Sequence, residues 1–268
     1  FLGKVGHKGV GGYTSPMPVS GDIVSDTTKL GESEAAEYRS RVGSLNYYVQ
    51  TVRFDLAHSV SRLGQFSAAP TVGAWKAMQR VISYLAKTKK FRIGGRLREG
   101  DDVYVTYTDS DHAGDRVLTK RSQTGVLIML NGVPVMWKSA RQPRTSISSA
   151  VAEIYALSEG VIQGRLYLWR CEEMGMKVEW PFTIRVDNTQ AIAFHSDTCI
   201  NSKVRGNFDL RDMFVVELRD AKVVRVEKVD TVENYADVLT KCTAGARFNY
   251  VVGRVLGEGG GDVQEGIQ

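Results

Sequence analysis

Four acidic residues stand where hydrolytic chemistry is commonly built. Asp109 closes an alternating run, Val103-Tyr-Val-Thr-Tyr-Thr, that predicts a β-strand. Glu153 falls in the first turn of a long helical pattern, Asp187 ends a second strand-like run (Phe182 to Val186), and Asp237 lies in a last helical segment. Any one of them alone reads as a turn former or a cap, because Asp bonds its own backbone at element ends. The ordered set reads differently. Gathered at one end of a sheet, four carboxylates repel one another strongly unless a counter-charge sits among them. Hard divalent cations take oxygen ligands, and two of them about 4 Å apart clamp the attacking and leaving oxygens of a phosphodiester displacement.

Competing chemistries fail on their residues. Asp109-Ser-Asp111-His-Ala-Gly114 begins like a calcium loop, but Ala113 stands fifth and Lys120 stands twelfth, where a bidentate Glu belongs. The glycines between Gly6 and Gly12 lack the Gly-Lys-Ser/Thr ending of a phosphate loop and a preceding strand. His7, His58, His112 and His195 are scattered, and neither a zinc-protease pair nor a nucleophile elbow occurs. Beside the Asp pair, His112 reads as a loop histidine that could tune proton transfer. Cys171, Cys199 and Cys242 form neither a disulfide framework nor a paired metal motif, which points to a reducing compartment.

The elements that must position these acids follow from periodicity. Residues 1–32, rich in Gly, Ser and Thr, read as an extended linker-like segment. Helical spacing runs from Ser33 (Tyr38, Val42, Leu45, Val49), through Leu56, Val60 and Leu63, then from Val72 to Lys87; 33–95 reads as a helical unit. The pattern then changes. Two apolar runs flank Asn131-Gly132, a hairpin signal because both residues accept positive φ. A helix from Ser148 to Met174 follows, with Ser148 or Ser149 as N-cap. Next come the Phe182–Val186 strand, helices over 189–194 and 208–219, a strand over 223–229 and a helix over 231–241. Residues 100–245 thus read as one α/β domain with a mixed five-stranded sheet flanked by helices, and 246–268 as a partly disordered tail.

The 268 residues are 43% hydrophobic and 24% charged, which excludes a disordered chain, and no run is apolar enough to span a bilayer. The net charge of +5 conceals a division. From Lys76 to Arg144 there are 14 Lys and Arg against 6 Asp and Glu, a local excess that suits a polyanionic partner. With Phe1 first and no signal peptide, the chain reads as a piece of something longer.

Several segments together resemble the C-terminal part of the polyprotein of copia-type LTR retrotransposons. Tyr38-Arg-Ser-Arg-Val-Gly-Ser-Leu-Asn-Tyr47 is similar to that family's YRSLVGSLxY, and Tyr107-Thr-Asp-Ser-Asp-His-Ala-Gly114 to its YTDSDWAG. Lys120-Arg-Ser-Gln-Thr-Gly125 follows, close to RKSTSG. Ser148 to Leu157 resembles SSAEAEYIAL, Val186-Asp-Asn-Thr-Gln-Ala-Ile192 resembles CDNQSAI, and Asn234 to Lys241 resembles the closing ADxLTK. The likeness covers about residues 15 to 245, and order and spacing agree as well as letters. Departures are Val151 for the first Glu of AEAE, His112 for Trp, Phe54 for the Pro of TRPD and Cys242 for a closing Pro. Arg205-Gly-Asn-Phe-Asp209 also stands for KHID, leaving Asn207 near the place of its His.

The resemblance implies a reverse-transcriptase thumb/connection unit followed by a ribonuclease H domain that cuts the RNA strand of RNA–DNA hybrids. It implies Asp109, Glu153, Asp187 and Asp237 as catalytic ligands of two Mg²⁺ (or Mn²⁺). Asp109 would bridge both ions, Asp237 would help hold the ion that activates water, and Glu153 and Asp187 would hold the other. Lys76, Arg80, Lys120, Arg121, Lys138, Arg141 and Arg144 are the expected phosphate contacts, with Ser110, Asn188 and Gln190 beside the acids; Asn188 reads equally as an N-cap. No polymerase carboxylate pair occurs, so the expected partners are the hybrid and the polymerase part of the same polyprotein, without a membrane. The expected place is intracellular, cytoplasmic or nuclear, in a retrotransposon particle. Two alternatives stand: a degenerate or domesticated remnant that binds nucleic acid or protein without cutting, and another nuclease of the same superfamily, of integrase or exonuclease type.

Overall fold

The computed structural model describes residues 13–18, 23, 26–94, 102–114, 119–195, 210–243 and 245–258. The Gly6–Gly12 stretch, Cys199, the 205–209 segment and residues 259–268 lie outside them. The chain forms two compact units, one of residues 1–96 with 242–268 and one of residues 97–241.

The first unit contains helices α1 (Glu32–Thr51), α2 (Ala57–Gly64) and α3 (Val72–Lys87). The apolar positions read from the sequence are those buried: Tyr38, Val42, Leu45 and Val49 of α1, Val60 and Leu63 of α2, Met78, Val81 and Ile82 of α3. Thr71 caps α3 by accepting from Ala74 N at 3.2 Å. Between α1 and α2 the Arg53 guanidinium donates to both oxygens of Asp55 (2.8 and 2.7 Å), and Tyr84 Oη donates to Asp55 Oδ2 at 2.8 Å. A buried charge is tolerable here because every partner is present.

Two expectations for this unit are corrected. Within the 1–32 segment expected to be extended and linker-like, residues 26–30 are held on the start of α3: Val72 N donates to Thr28 O at 2.8 Å, and a Cβ on Gly73 would lie 2.5 Å from Ile23 O. Nor is 246–258 a tail. It forms helix α7 (Ala246–Val255) and strand β7 (Leu256–Glu258), and β7 pairs antiparallel with β1 (Phe91–Ile93). Phe248, Val251, Val252 and Val255 recur at helical spacing and are buried, and the Phe248 ring lies 6.0 Å from that of Tyr84.

The second unit is built on strands β2 (Tyr104–Asp111), β3 (Gln123–Leu130), β4 (Val133–Arg141), β5 (Phe182–Val186) and β6 (Val224–Lys228), in the order β4-β3-β2-β5-β6. The β2–β3 and β3–β4 pairs are antiparallel, and β5 joins β2 and β6 in parallel. The hairpin turn has Asn131 at φ 51° and Gly132 at φ 74°, as the dipeptide requires. This is the expected mixed five-stranded sheet with flanking helices. Helix α4 (Ser149–Glu173) lies on one face, close because Gly160 and Gly164 carry no side chain: a Cβ on Gly160 would meet Thr108 Cγ2 at 2.2 Å. Leu157, Val161 and Leu168 of α4 pack with Ile184, Val186 and Val224, and with residues of α5 (Thr189–His195) and α6 (Leu210–Asp220).

The helix expected over 231–241 is instead two 3₁₀ turns, Thr231–Glu233 and Tyr235–Leu239. The break is Asn234, held at ψ 95° by its side chain, which donates to Thr108 O at 3.0 Å and accepts from Ala236 N at 3.3 Å.

Candidate metal centre

The parallel register of β2 and β5 pairs Val105 with Thr183 and Tyr107 with Arg185. Two residues further along each strand, the same register sets Asp109 beside Asp187 at one end of the sheet. Asp109 is not the last residue of β2, which continues to Asp111. Along β2 the side chains alternate between faces. Thr106 and Thr108 meet the α4 glycines, whereas Tyr107 faces the other way, its ring 4.9 Å from that of Tyr235. Glu153, fifth residue of α4 and so in its second turn rather than its first, enters from the α4 side. Single ligand oxygens of Asp109, Glu153 and Asp187 lie within 4.8 Å of one another.

Burial dominates the electrostatics. It raises Glu153 to about 9, helped by Asp109 and Asp187 and opposed by the neighbouring Ser110. It raises Asp109 to about 6, with Lys241 and the Thr240 hydroxyl pulling down and Asp237 and Asp187 pushing up. Glu153 Oε2 is buried with no hydrogen-bond partner. A trio of oxygen donors, two of them hard to ionise and one with an orphaned oxygen, fits a hard divalent cation that supplies the missing charge.

Asp237 is not part of this trio. It is buried next to Asp109, and its Oδ1 forms an ion pair with Lys241 Nζ, four residues on. The turn that carries it is fixed by a row of cross-strand partners, Asp109, Gly125 and Ser139. The Thr240 hydroxyl donates to Asp109 Oδ2, and its Oγ1 also lies 3.0 Å from Asp237 O. Ser139 Oγ donates to Leu239 O at 2.6 Å. Gly125 leaves the space: a Cβ there would lie 2.8 Å from both Ala236 O and Thr240 Cγ2.

A second network holds the start of α4. Gln142, buried, donates its side-chain amide to Thr124 Oγ1 and to Ala152 O, both at 3.0 Å, and accepts from Ser146 Oγ at 2.7 Å. His112 Nε2 lies 3.2 Å from Ser146 O, which joins the loop after β2 to the loop before α4. Sequence reasoning missed Asn234, Thr240, Lys241, Ser139 and Gln142 as supports of the site. Three of these lie inside the Asn234–Lys241 motif, and the other two carry no local signal.

The remaining candidates divide. Ser110 is buried against Glu153. Asn188 caps α5, accepting from Gln190 N at 2.8 Å and Ala191 N at 3.1 Å, while the Gln190 side chain is exposed. Lys120, Arg121, Arg141 and Arg144 belong to the carboxylate end of the sheet, because Asp111, Gln123 and Arg141 are paired across β2, β3 and β4. Lys138 is engaged by Glu159. Lys76 and Arg80 belong to the first unit, where Lys76 pairs with Asp26 at 3.4 Å and Arg80 lies over the Tyr13 ring at 4.2 Å. Among the described residues no helix is long and apolar enough to cross a membrane.

No protein-family model matches the chain. It is 32% identical over 239 residues to the retrovirus-related Pol polyprotein from transposon RE2 of Arabidopsis thaliana, which covers 87% of this chain and 16% of that protein. It is 30% identical over 223 residues to the corresponding polyprotein from transposon TNT 1-94 of Nicotiana tabacum, covering 81% of this chain and 16% of that protein. Among solved structures, LC11-RNase H1 in complex with RNA/DNA hybrid aligns with a TM-score of 0.39 at 16% identity, over 51% of this chain and 93% of that one. The chain thus spans only 16% of the length of these curated relatives, and its homologues are copia-type retrovirus-related Pol polyproteins.

Proposed function

We propose that the chain is a metal-dependent ribonuclease H that hydrolyses the RNA strand of RNA–DNA hybrids. The observation that carries this reading is the convergence of Asp109, Glu153 and Asp187 at the end of a mixed five-stranded sheet, in a chain whose relatives are Pol polyproteins. These three residues would hold a Mg²⁺ or Mn²⁺ ion, and Asp109 with Asp237 a second. Such ions, when bound, lower the pKa of water and neutralise charge developing on the phosphoryl group.

The chain's own residues do the rest. The Thr240 hydroxyl fixes the Asp109 carboxylate. The Gln142 network fixes the backbone next to Glu153. Lys120, Arg121, Arg141 and Arg144, at the same end of the sheet, would contact phosphates and set the register of the scissile bond. Water is the nucleophile, so no covalent intermediate on the protein is needed, and orientation of the bound strand supplies much of the rate. The polymerase part of a longer polyprotein is the proposed covalent partner.

The test is a cleavage assay with Mg²⁺ on labelled hybrid, DNA duplex and RNA duplex side by side. The expected outcome is cleavage of the RNA strand of the hybrid alone, leaving 5′-phosphate and 3′-hydroxyl ends, and its loss in Asp109→Asn. Binding of the hybrid without cleavage would refute the enzyme and support a binding remnant. Cleavage of DNA duplex would support the integrase or exonuclease alternative.

A further inference from the structure

The acids of the centre fall into two groups. Asp109, Glu153 and Asp187 converge on one another. Asp237 instead carries an ammonium: Lys241 Nζ is ion-paired to its Oδ1. Lys241 interacts electrostatically with Asp109 and Asp111 as well as with Asp237. Its side chain is 43% exposed against 6% for that of Asp237, so the cationic head reaches inward while the stem keeps a path to solvent.

We propose that Lys241 is a positioning residue that supplies the positive charge at Asp237 and makes metal loading stepwise. One divalent ion binds Asp109, Glu153 and Asp187 with Lys241 in place, and a second reaches Asp109 and Asp237 only by displacing the Lys241 ammonium. The inference rests on the metal-dependent reading above. Its physical basis is charge crowding. An ammonium and a divalent cation cannot share one carboxylate in a poorly screened site, because their repulsion is twice that of two unit charges. A Lys head is a compact point charge on a flexible stem, suited to occupy such a position and to leave it.

The experiment is a titration of the full chain with Mn²⁺ alone, without nucleic acid, counting free ion by electron paramagnetic resonance and bound ion by calorimetry. Wild type should bind one ion tightly and a second at least about 10-fold more weakly, the scale of effect that residues beside metal ligands exert. Lys241→Gln should tighten the second ion by about 10-fold or more and the first by clearly less, whereas Lys241→Arg should keep the gap. Lys241→Gln combined with Asp237→Asn should lose the second ion again. Lys241→Met, which keeps the stem, is the second variant should Lys241→Gln unfold. Equal tightening of both ions, or an unchanged gap, overturns the role of Lys241 and leaves the metal centre standing. Absence of Mn²⁺ binding in wild type, or binding unaffected by Asp109→Asn, overturns the metal-dependent reading itself.

Discussion

With Asp109 raised to about 6 and Glu153 to about 9, from ordinary values of 3.8 and 4.5, the folded protein keeps protons that the unfolded chain releases. The stabilisation from these protonated forms is complete below about pH 4 and is lost as pH rises through 6 and then 9. Thermal unfolding in a chelator should therefore show a Tm that falls between pH 5 and pH 9. Saturating Mg²⁺ should flatten that fall, because the cation binds the ionised acids of the folded state only. Glu153→Gln should remove much of the slope in chelator and most of the response to Mg²⁺; a slope equal to wild type would refute the assignment of Glu153. Activity follows the opposite preference. Outer-shell changes around metals cost about 10–100-fold in affinity or activity, so losing Asp109 as a ligand should cost more than about 100-fold in cleavage rate. At this scale the sequence singled out four acids, three of which the structure brings together, and was silent about their state. Residue type and order pointed to the four acids. That Glu153 is hard to ionise and that Asp237 is paired with Lys241 depend on burial and on contacts that no local pattern encodes.

Elements bring those contacts together through space left empty as much as through side chains. Gly125 sits in the cross-strand row beneath the Tyr235–Leu239 turn, and Gly125→Ala places a methyl 2.8 Å from a backbone oxygen. Overpacking of this kind costs about 1–3 kcal/mol. Chemical denaturation should show that loss, together with weakened metal binding, since the displaced turn carries Asp237 and Thr240. Gly43→Ala in α1 meets nothing within 4 Å and should instead stabilise by roughly 0.5–1 kcal/mol, as expected of Gly replaced by Ala inside a helix. If both variants behaved alike, the steric account of Gly125 would be wrong. Gln142→Ala removes two donated bonds and one accepted bond from a buried cluster, and should cost about 1–3 kcal/mol for the groups left unsatisfied. Periodicity showed α1 to α4, β5 and the Asn131-Gly132 hairpin, because each buries a regular stripe of its own. It failed over 231–241, where the pattern is helical but the Asn234 bond to Thr108 O, across 126 residues, breaks the helix. The same spacing is present in α7, where Phe248, Val251, Val252 and Val255 are buried.

For the whole molecule the local basic excess acquires a location. The stretch from Lys76 to Arg144 is divided between the two compact units, and each part is placed within its own unit. Lys120, Arg121, Arg141 and Arg144 share the sheet end that carries the acids, whereas Lys138 is committed to Glu159 and Lys76 and Arg80 to partners in the first unit. Phosphate contacts release counterions, so each one lost lowers the slope of log affinity against log salt by about one. Hybrid binding measured between low and moderate salt, in Ca²⁺ to prevent turnover, should lose about one unit of slope in Lys120→Ala and again in Arg144→Ala. Lys76→Ala should leave the slope within error of wild type. Lys138→Ala should lower stability through the buried Glu159 it abandons, with little change in slope. The opposite ranking, with Lys76 carrying the salt dependence and Lys120 and Arg144 silent, would assign the phosphate contacts to the first unit and refute their assignment to the sheet end.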